Sequence, residues 1–304
     1  MLAGIFNRIP GKTKKTMTET IENDQLRVEI AHAGAELSSL FHKQQQKEYL
    51  WQGSSDWWPR RAPVLFPVVG KLNDNNYRSG GKTYSLPQHG FARDLAFSVQ
   101  QQEKERIVFA LQSGESTRVI YPFEFELRIT YELKGPALFV SYDVMNPSNG
   151  IIYFSIGAHP GFNCPLNADE QFSDYYLEFE KTETLDRQLL DGGVFNGATE
   201  RVMTGTNILP LEEALFKKDA IVFKNMTSES MTLKSKRSDY SLKFSFRDFP
   251  YFGIWTKPGA PFICLEPWCG IADNKSFDGD LQNKEGIVAL QLGEQFVRSW
   301  SVTI

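Results

Sequence analysis

The chain has 304 residues, 41% of them apolar and 23% charged, with a net charge of −4 and a pI near 5.7. This is the composition of a folded globule, not of a disordered segment. No Lys/Arg block is dense enough to follow a phosphate backbone, and no apolar run approaches the roughly 18 residues that span a bilayer, so neither nucleic acid nor membrane is an expected partner.

Residues 1–16 read as an N-terminal extension outside the fold. Their apolar part is too short for a secretory segment and no A-x-A-like site follows it. From Met17 to residue 304 the chain reads as a single domain. Aromatic residues make up 13%, with 23 Phe and 11 Tyr, which favours strands. In chain order, "LRVEI" (26–30) alternates, and "RIVFAL" (106–111) is a short apolar run. "FEFELRITYEL" (123–133) sets Phe123, Phe125, Leu127, Ile129, Tyr131 and Leu133 against polar residues, the mark of a half-buried antiparallel strand. "KGP" then breaks the chain before "ALFVSYDVMN" (137–146), predicting a hairpin. Further strands are predicted at "IIYFSIGA" (151–158), "YYLEFEK" (175–181), "AIVFKN" (220–225), "YSLKFSFR" (240–247) and "YFGIWT" (251–256), with two more in the last nineteen residues. "LPLEEALFKK" (209–218) predicts one short helix. Many close-spaced strands with few short helices predict an all-β fold, a large antiparallel β-sandwich.

Four connections carry more chemistry than turns need: "DWWPRRAPVLFPVVGKL" (56–72), "QHGFARD" (88–94), "GAHPGFNCPL" (157–166) and "CLEPWCGIAD" (264–273). Only four histidines occur, and two of them, His89 and His159, sit in these stretches. Each either ties down its loop or exchanges protons near neutral pH. Glu266 closes an apolar strand beside Trp268, so it is either a salt-bridged structural group or a base with a raised pKa. Arg60 and Arg61 either cover apolar surface or bind a ligand oxygen. Asp219 is a turn residue or a hydroxyl acceptor. Trp57, Trp58 and Trp268 pack in the core or stack on a sugar. Together these groups form a kit for general acid–base chemistry on a polyhydroxylated ligand. There is no Walker loop, GxGxxG, serine elbow or HExxH pair, and the three cysteines (164, 264 and 269) include no CxxC pair. Nucleotide-dependent and metalloprotease chemistry is therefore not expected, and neither is a zinc site built on the three cysteines. An odd cysteine count fits a reducing, cytoplasmic setting.

Taken in order, "GAELSSL" (34–40), "YLWQG" (49–53), "RRAPVLFPVVGKL" (60–72), "QHGFARD", "GAHPGFNCPL" and "APFICLEPWCGIAD" (260–273) resemble the aldose 1-epimerases, also called galactose mutarotases, and within them the LacX-like subgroup. The resemblance implies a galactose mutarotase-like supersandwich that interconverts the α and β anomers of a hexose by ring opening and closing, without a metal or other cofactor. The expected state is a monomer or homodimer. It implies Glu266 as base and His159 as acid, with His89, Arg60 and Asp219 binding the sugar. One departure is that "RRAPVLFP" stands where better-studied members carry a longer arginine loop. This resembles the hexose-6-phosphate 1-epimerases and leaves the substrate open between a hexose and a hexose phosphate. A non-catalytic carbohydrate-binding protein is the third reading.

Overall fold

The computed structural model describes residues 17–304, so the extension read at residues 1–16 lies outside the described residues. The fold is all-β. Fifteen strands form one antiparallel sheet whose path runs from Val64–Leu65 through Ile156–Ala158, Phe262–Cys269, Tyr251–Trp255, Ile221–Lys224 and Tyr175–Asp191, then on to Glu126–Lys134, Arg106–Gln112 and Ser98–Gln102. A sheet of this length curls or splits into facing layers. Here the two ends meet: Phe66, beside the first strand of the path, packs 4.9 Å from Phe125, beside a strand near the other end. A second sheet of four strands, Thr18–Glu22, Leu26–Ala31, Leu37–His42 and Lys47–Glu48, joins the same core through Ile21, Leu26, Val28 and Ile30. Its turn is fixed by the Tyr131 hydroxyl, which donates to the Ala35 carbonyl at 2.6 Å.

Alternation carries most of this architecture. In Glu126–Lys134, residues Leu127, Ile129, Tyr131 and Leu133 are buried, and the strand pairs as a hairpin with Ala137–Met145. The run 151–158 is two strands, not one. Ile152–Phe154 pairs with Val288–Leu290, whereas Ile156–Ala158 joins the large sheet. Between them the Ser155 amide donates to the Pro67 carbonyl at 2.7 Å, which is where the chain changes partners. The helix predicted at 209–218 is a strand end followed by a 3₁₀ turn, Glu213–Phe216, because Leu209 and Leu211 are buried with the neighbouring hairpin. Among the described residues the α-helix is a single turn, Glu115–Arg118, and no helix is long and apolar enough to cross a membrane.

The element that matters most for the site is the hairpin Tyr175–Asp191 with Val194–Pro210, seventeen residues on each side. Its tip at Gly192–Gly193 is held by Lys71, whose ammonium donates to the Gly192 carbonyl at 2.8 Å, and by an ion pair between Lys275 and Asp191. The Phe195 amide donates to the Asp273 carbonyl, and the Lys275 amide to the Phe195 carbonyl, each at 2.8 Å. The tip is thus stitched to the segment that follows strand Phe262–Cys269. Phe66 is fully buried against Phe91, Tyr121, Phe125 and Phe154 where the ends of the large sheet meet. Phe66→Ala is expected to lower stability by about 3–5 kcal/mol, read as a drop in the denaturant midpoint; a shift under about 1 kcal/mol would contradict this closure.

Candidate active site

A cavity of about 340 Å³ opens where these strands and loops converge, and its wall includes Trp58, His89, Arg93, His159, Asp219, Trp255, Glu266 and Trp268. That volume lies at the small end of ligand pockets, which run about 300–1,000 Å³. Glu266 stands on Phe262–Cys269, opposite Gly253 of the neighbouring strand. A methyl group on Gly253 would lie 2.6 Å from the Trp268 ring, and one on Gly157 would lie 2.6 Å from the same indole. Only glycine at both positions lets the indole lie flat against the sheet beside the carboxylate. His159 leaves the end of Ile156–Ala158 just before Pro160. Trp58 stacks on its ring at 4.8 Å, and Trp255 meets it edge-on at 5.8 Å.

The His159 Nε2 and Glu266 Oε2 atoms are 3.2 Å apart, with Glu266 1% exposed. They are close but poorly aligned: neither Oε2 nor the His159 Nδ1 has a hydrogen-bond partner. An unpartnered buried polar group costs about 1–3 kcal/mol, and catalytic pairs often tighten only around the ligand. Burial pushes the Glu266 carboxyl well above the ordinary range, and the negative charge of Asp219 adds to this. The Trp268 indole N–H, which has no well-aligned partner, offsets a minor part. Burial pulls His159 down to about 3, with Arg93 and Arg60 adding to the fall against an opposing contact with its own backbone. Burial thus disfavours the charged form of both members of the pair.

His89 packs edge-on to His159 at 5.7 Å. Its Nδ1 accepts from the Gly70 amide at 3.1 Å, while its own amide donates to the Gly70 carbonyl at 2.8 Å. A neutral ring accepting at Nδ1 carries its proton on Nε2. Burial, then His159 and the two arginines, hold His89 well below its ordinary pKa. Asp219 sits in a left-handed turn, φ 76°, at the exposed lip, and its Oδ1 accepts from the Ala220 amide at 2.8 Å.

Glu266, His159, His89 and Asp219, predicted from sequence, thus share one cavity. Arg60 does not line it. Arg60 is paired with Asp94 at 2.6 Å just behind the wall, and the guanidinium in the wall is that of Arg93. Arg61 turns away and donates to the carbonyls of Gln52 and Ser38. Trp58 and Trp268 line the cavity, whereas Trp57 is exposed beneath the Lys257 ammonium. Sequence reasoning did not place Trp255, Gln88 or the hairpin residues Leu190 and Phe195 in the site. The "DGG" at 191–193 was a usable hairpin signal.

The aldose 1-epimerase family model matches residues 17–296. The chain belongs to the aldose 1-epimerase family. It is 31% identical over 299 residues to the chromosomal protein LacX of Lactococcus lactis subsp. lactis, covering 95% of this chain and 99% of the relative. Two solved structures agree, each 36% identical. A galactose mutarotase related enzyme from Lactobacillus acidophilus superposes with a TM-score of 0.91 over 94% of this chain and 97% of that one. A galactose mutarotase-like protein from Lactobacillus casei ATCC 334 gives 0.89 over 94% and 99%.

The two buried imidazoles make a direct expectation for pH. On unfolding they regain an ordinary pKa of 6.5, so the unfolded state binds more protons below that pH and stability falls as pH drops through it. Nitrogen NMR should show His159 neutral at pH 5, with its own transition near pH 3; a midpoint near 6.5 would contradict the burial argument.

Proposed function

We propose that this protein is an aldose 1-epimerase acting on a single hexose by general acid–base catalysis. The observation that carries the reading is the approach of His159 and Glu266 to 3.2 Å on the wall of a cavity of monosaccharide scale. Anomer exchange needs a proton taken from the C1 hydroxyl and a proton given to the ring oxygen. Those two oxygens share one carbon, so an adjacent base and acid suit them. Incoming sugar hydroxyls donate to Glu266 and favour its charged form. The shared proton then passes to His159, giving carboxylate and imidazolium. Glu266 takes the proton of the C1 hydroxyl, His159 protonates the ring oxygen, and the C1–O5 bond breaks to leave the aldehyde. The protonation of the pair at that point is the one it has in the empty cavity. Rotation about C1–C2 and reversal of both transfers give the other anomer, and no proton is gained or lost. Because only protons move, no redox or group-transfer cofactor is needed. His89 Nε2–H, Arg93 and Asp219 stand where they would fix the remaining oxygens, and Trp58, Trp255 and Trp268 offer flat apolar faces. The three unpaired, buried cysteines support a cytoplasmic setting.

A phosphorylated hexose is favoured as a second reading by one observation. Arg93 lines the cavity with its Nε buried and without a hydrogen bond, 3.8 Å from Asp94, while its guanidinium donates to the Gln88 carbonyl; burial, then the charge of Arg60, lowers its pKa. A guanidinium in the wall suits a phosphate.

Glu266→Gln is expected to cut anomerisation followed by polarimetry about 10²–10⁴-fold while sugar binding persists, and His159→Asn to do the same. Near wild-type rates in either variant would refute the roles assigned; a wild type that binds but never turns over would return the chain to the carbohydrate-binding reading. Arg93→Gln is expected to raise KM for all hexoses alike if the substrate is unphosphorylated. A loss confined to the 6-phosphates would decide for the second reading.

A further inference from the structure

Cys264 precedes Glu266 by two residues on Phe262–Cys269, so both side chains leave the same face of the strand. Its Sγ, a ring nitrogen of His159 and a carboxylate oxygen of Glu266 all lie within 4.8 Å of one another. Cys264 is fully buried and forms no disulfide. Glu266 is 1% exposed, faces the cavity, and its Oε2 is unpartnered. Proton transfer to a sugar uses the carboxylate and the imidazole but has no use for the thiol.

An imidazole, a thiol and a carboxylate together are a donor set for the zinc class of cations, three protein ligands leaving one position open. Bonds of about 2.0–2.3 Å hold tetrahedral ligands within about 4 Å of one another, so the three donors need close by no more than about 1 Å. Charge favours this as well. A divalent cation with one thiolate and one carboxylate is neutral, which removes the burial penalty that otherwise keeps both acids protonated. Two of the three donors, His159 and Glu266, line the cavity.

We infer that His159, Cys264 and Glu266 form a site for a thiophilic divalent cation such as zinc, and that its occupancy blocks the sugar site. Binding releases one proton from the thiol and one from the carboxyl, and the cation occupies the place of the C1 hydroxyl. The cation site stands without the epimerase reading; its effect on turnover rests on that reading.

The test uses the whole chain, with cobalt(II) as a spectroscopic stand-in for zinc. Wild type should bind one cobalt per chain and show sulfur-to-cobalt charge-transfer absorption, which zinc displaces. Cys264→Ser and Cys264→Ala should lose that absorption and weaken zinc binding at least about 100-fold, beyond the 10–100-fold cost of losing a ligand's hydrogen-bond partner. In chelator all three proteins should anomerise sugar at similar rates; added zinc should stop the wild type and spare both variants. A cobalt complex without the sulfur band, the absence of a stoichiometric site, or equal zinc sensitivity in the variants would overturn the inference. Because the absence of the sulfur band in wild type overturns the inference by itself, a variant that fails to fold does not rescue it. Wild type that shows the band but never turns over in chelator would sink the epimerase reading and leave the cation site standing.

Discussion

The site depends on one constraint: a carboxyl group fixed in the middle of a buried strand with no cation to neutralise it. Every residue of Phe262–Cys269 is buried. Burying an ionised carboxylate costs several kcal/mol without a partner, which favours the neutral acid of Glu266. His159, stacked on Trp58, is buried enough that it does not take that proton away. The sheet supplies the preorganisation by holding the carboxyl and the indole of Trp268 in register with Gly253 and Gly157, neither of which has a side chain to displace them.

The rest of the fold places oxygen-binding groups around that pair. His89 is locked by reciprocal hydrogen bonds with Gly70, and the long hairpin carries Leu190 and Phe195 over the opening, tied down by Lys71 and Lys275. The large sheet positions Glu266, with His159 at the end of one of its strands, while the loops and the hairpin tip complete the cavity wall. The chain belongs to the aldose 1-epimerase family, and under the proposed reading the sheet would carry the chemistry while the loops would set the choice of sugar.

Much of this was legible in the sequence because strand period and burial share a cause. The alternation in 123–133 reports the core face directly, and the four chemically rich connections were visible as aromatic, glycine and ionisable residues in close company. Four of the five candidate site residues lie together in the cavity. Arg60 was indistinguishable from its neighbours on sequence alone, since Asp94, which draws it away from the wall, is thirty-four residues distant and met only in three dimensions. Likewise, the break at Ser155 depends on Pro67 and the strand end at 209–211 on the hairpin, both long-range contacts that no local pattern encodes. The proton inventory of Glu266 and His159 was also out of reach, because it follows from desolvation of two groups more than a hundred residues apart.

That inventory is the point on which the account turns, and it can be read directly. Isotope-edited difference infrared spectroscopy of the sugar-free protein at neutral pH, with Glu266→Gln as the reference, isolates the carboxyl stretch of this one residue. The account requires a protonated acid in the empty cavity that converts to carboxylate when hexose is added. An ionised carboxylate already present without sugar, unchanged on binding, would contradict it.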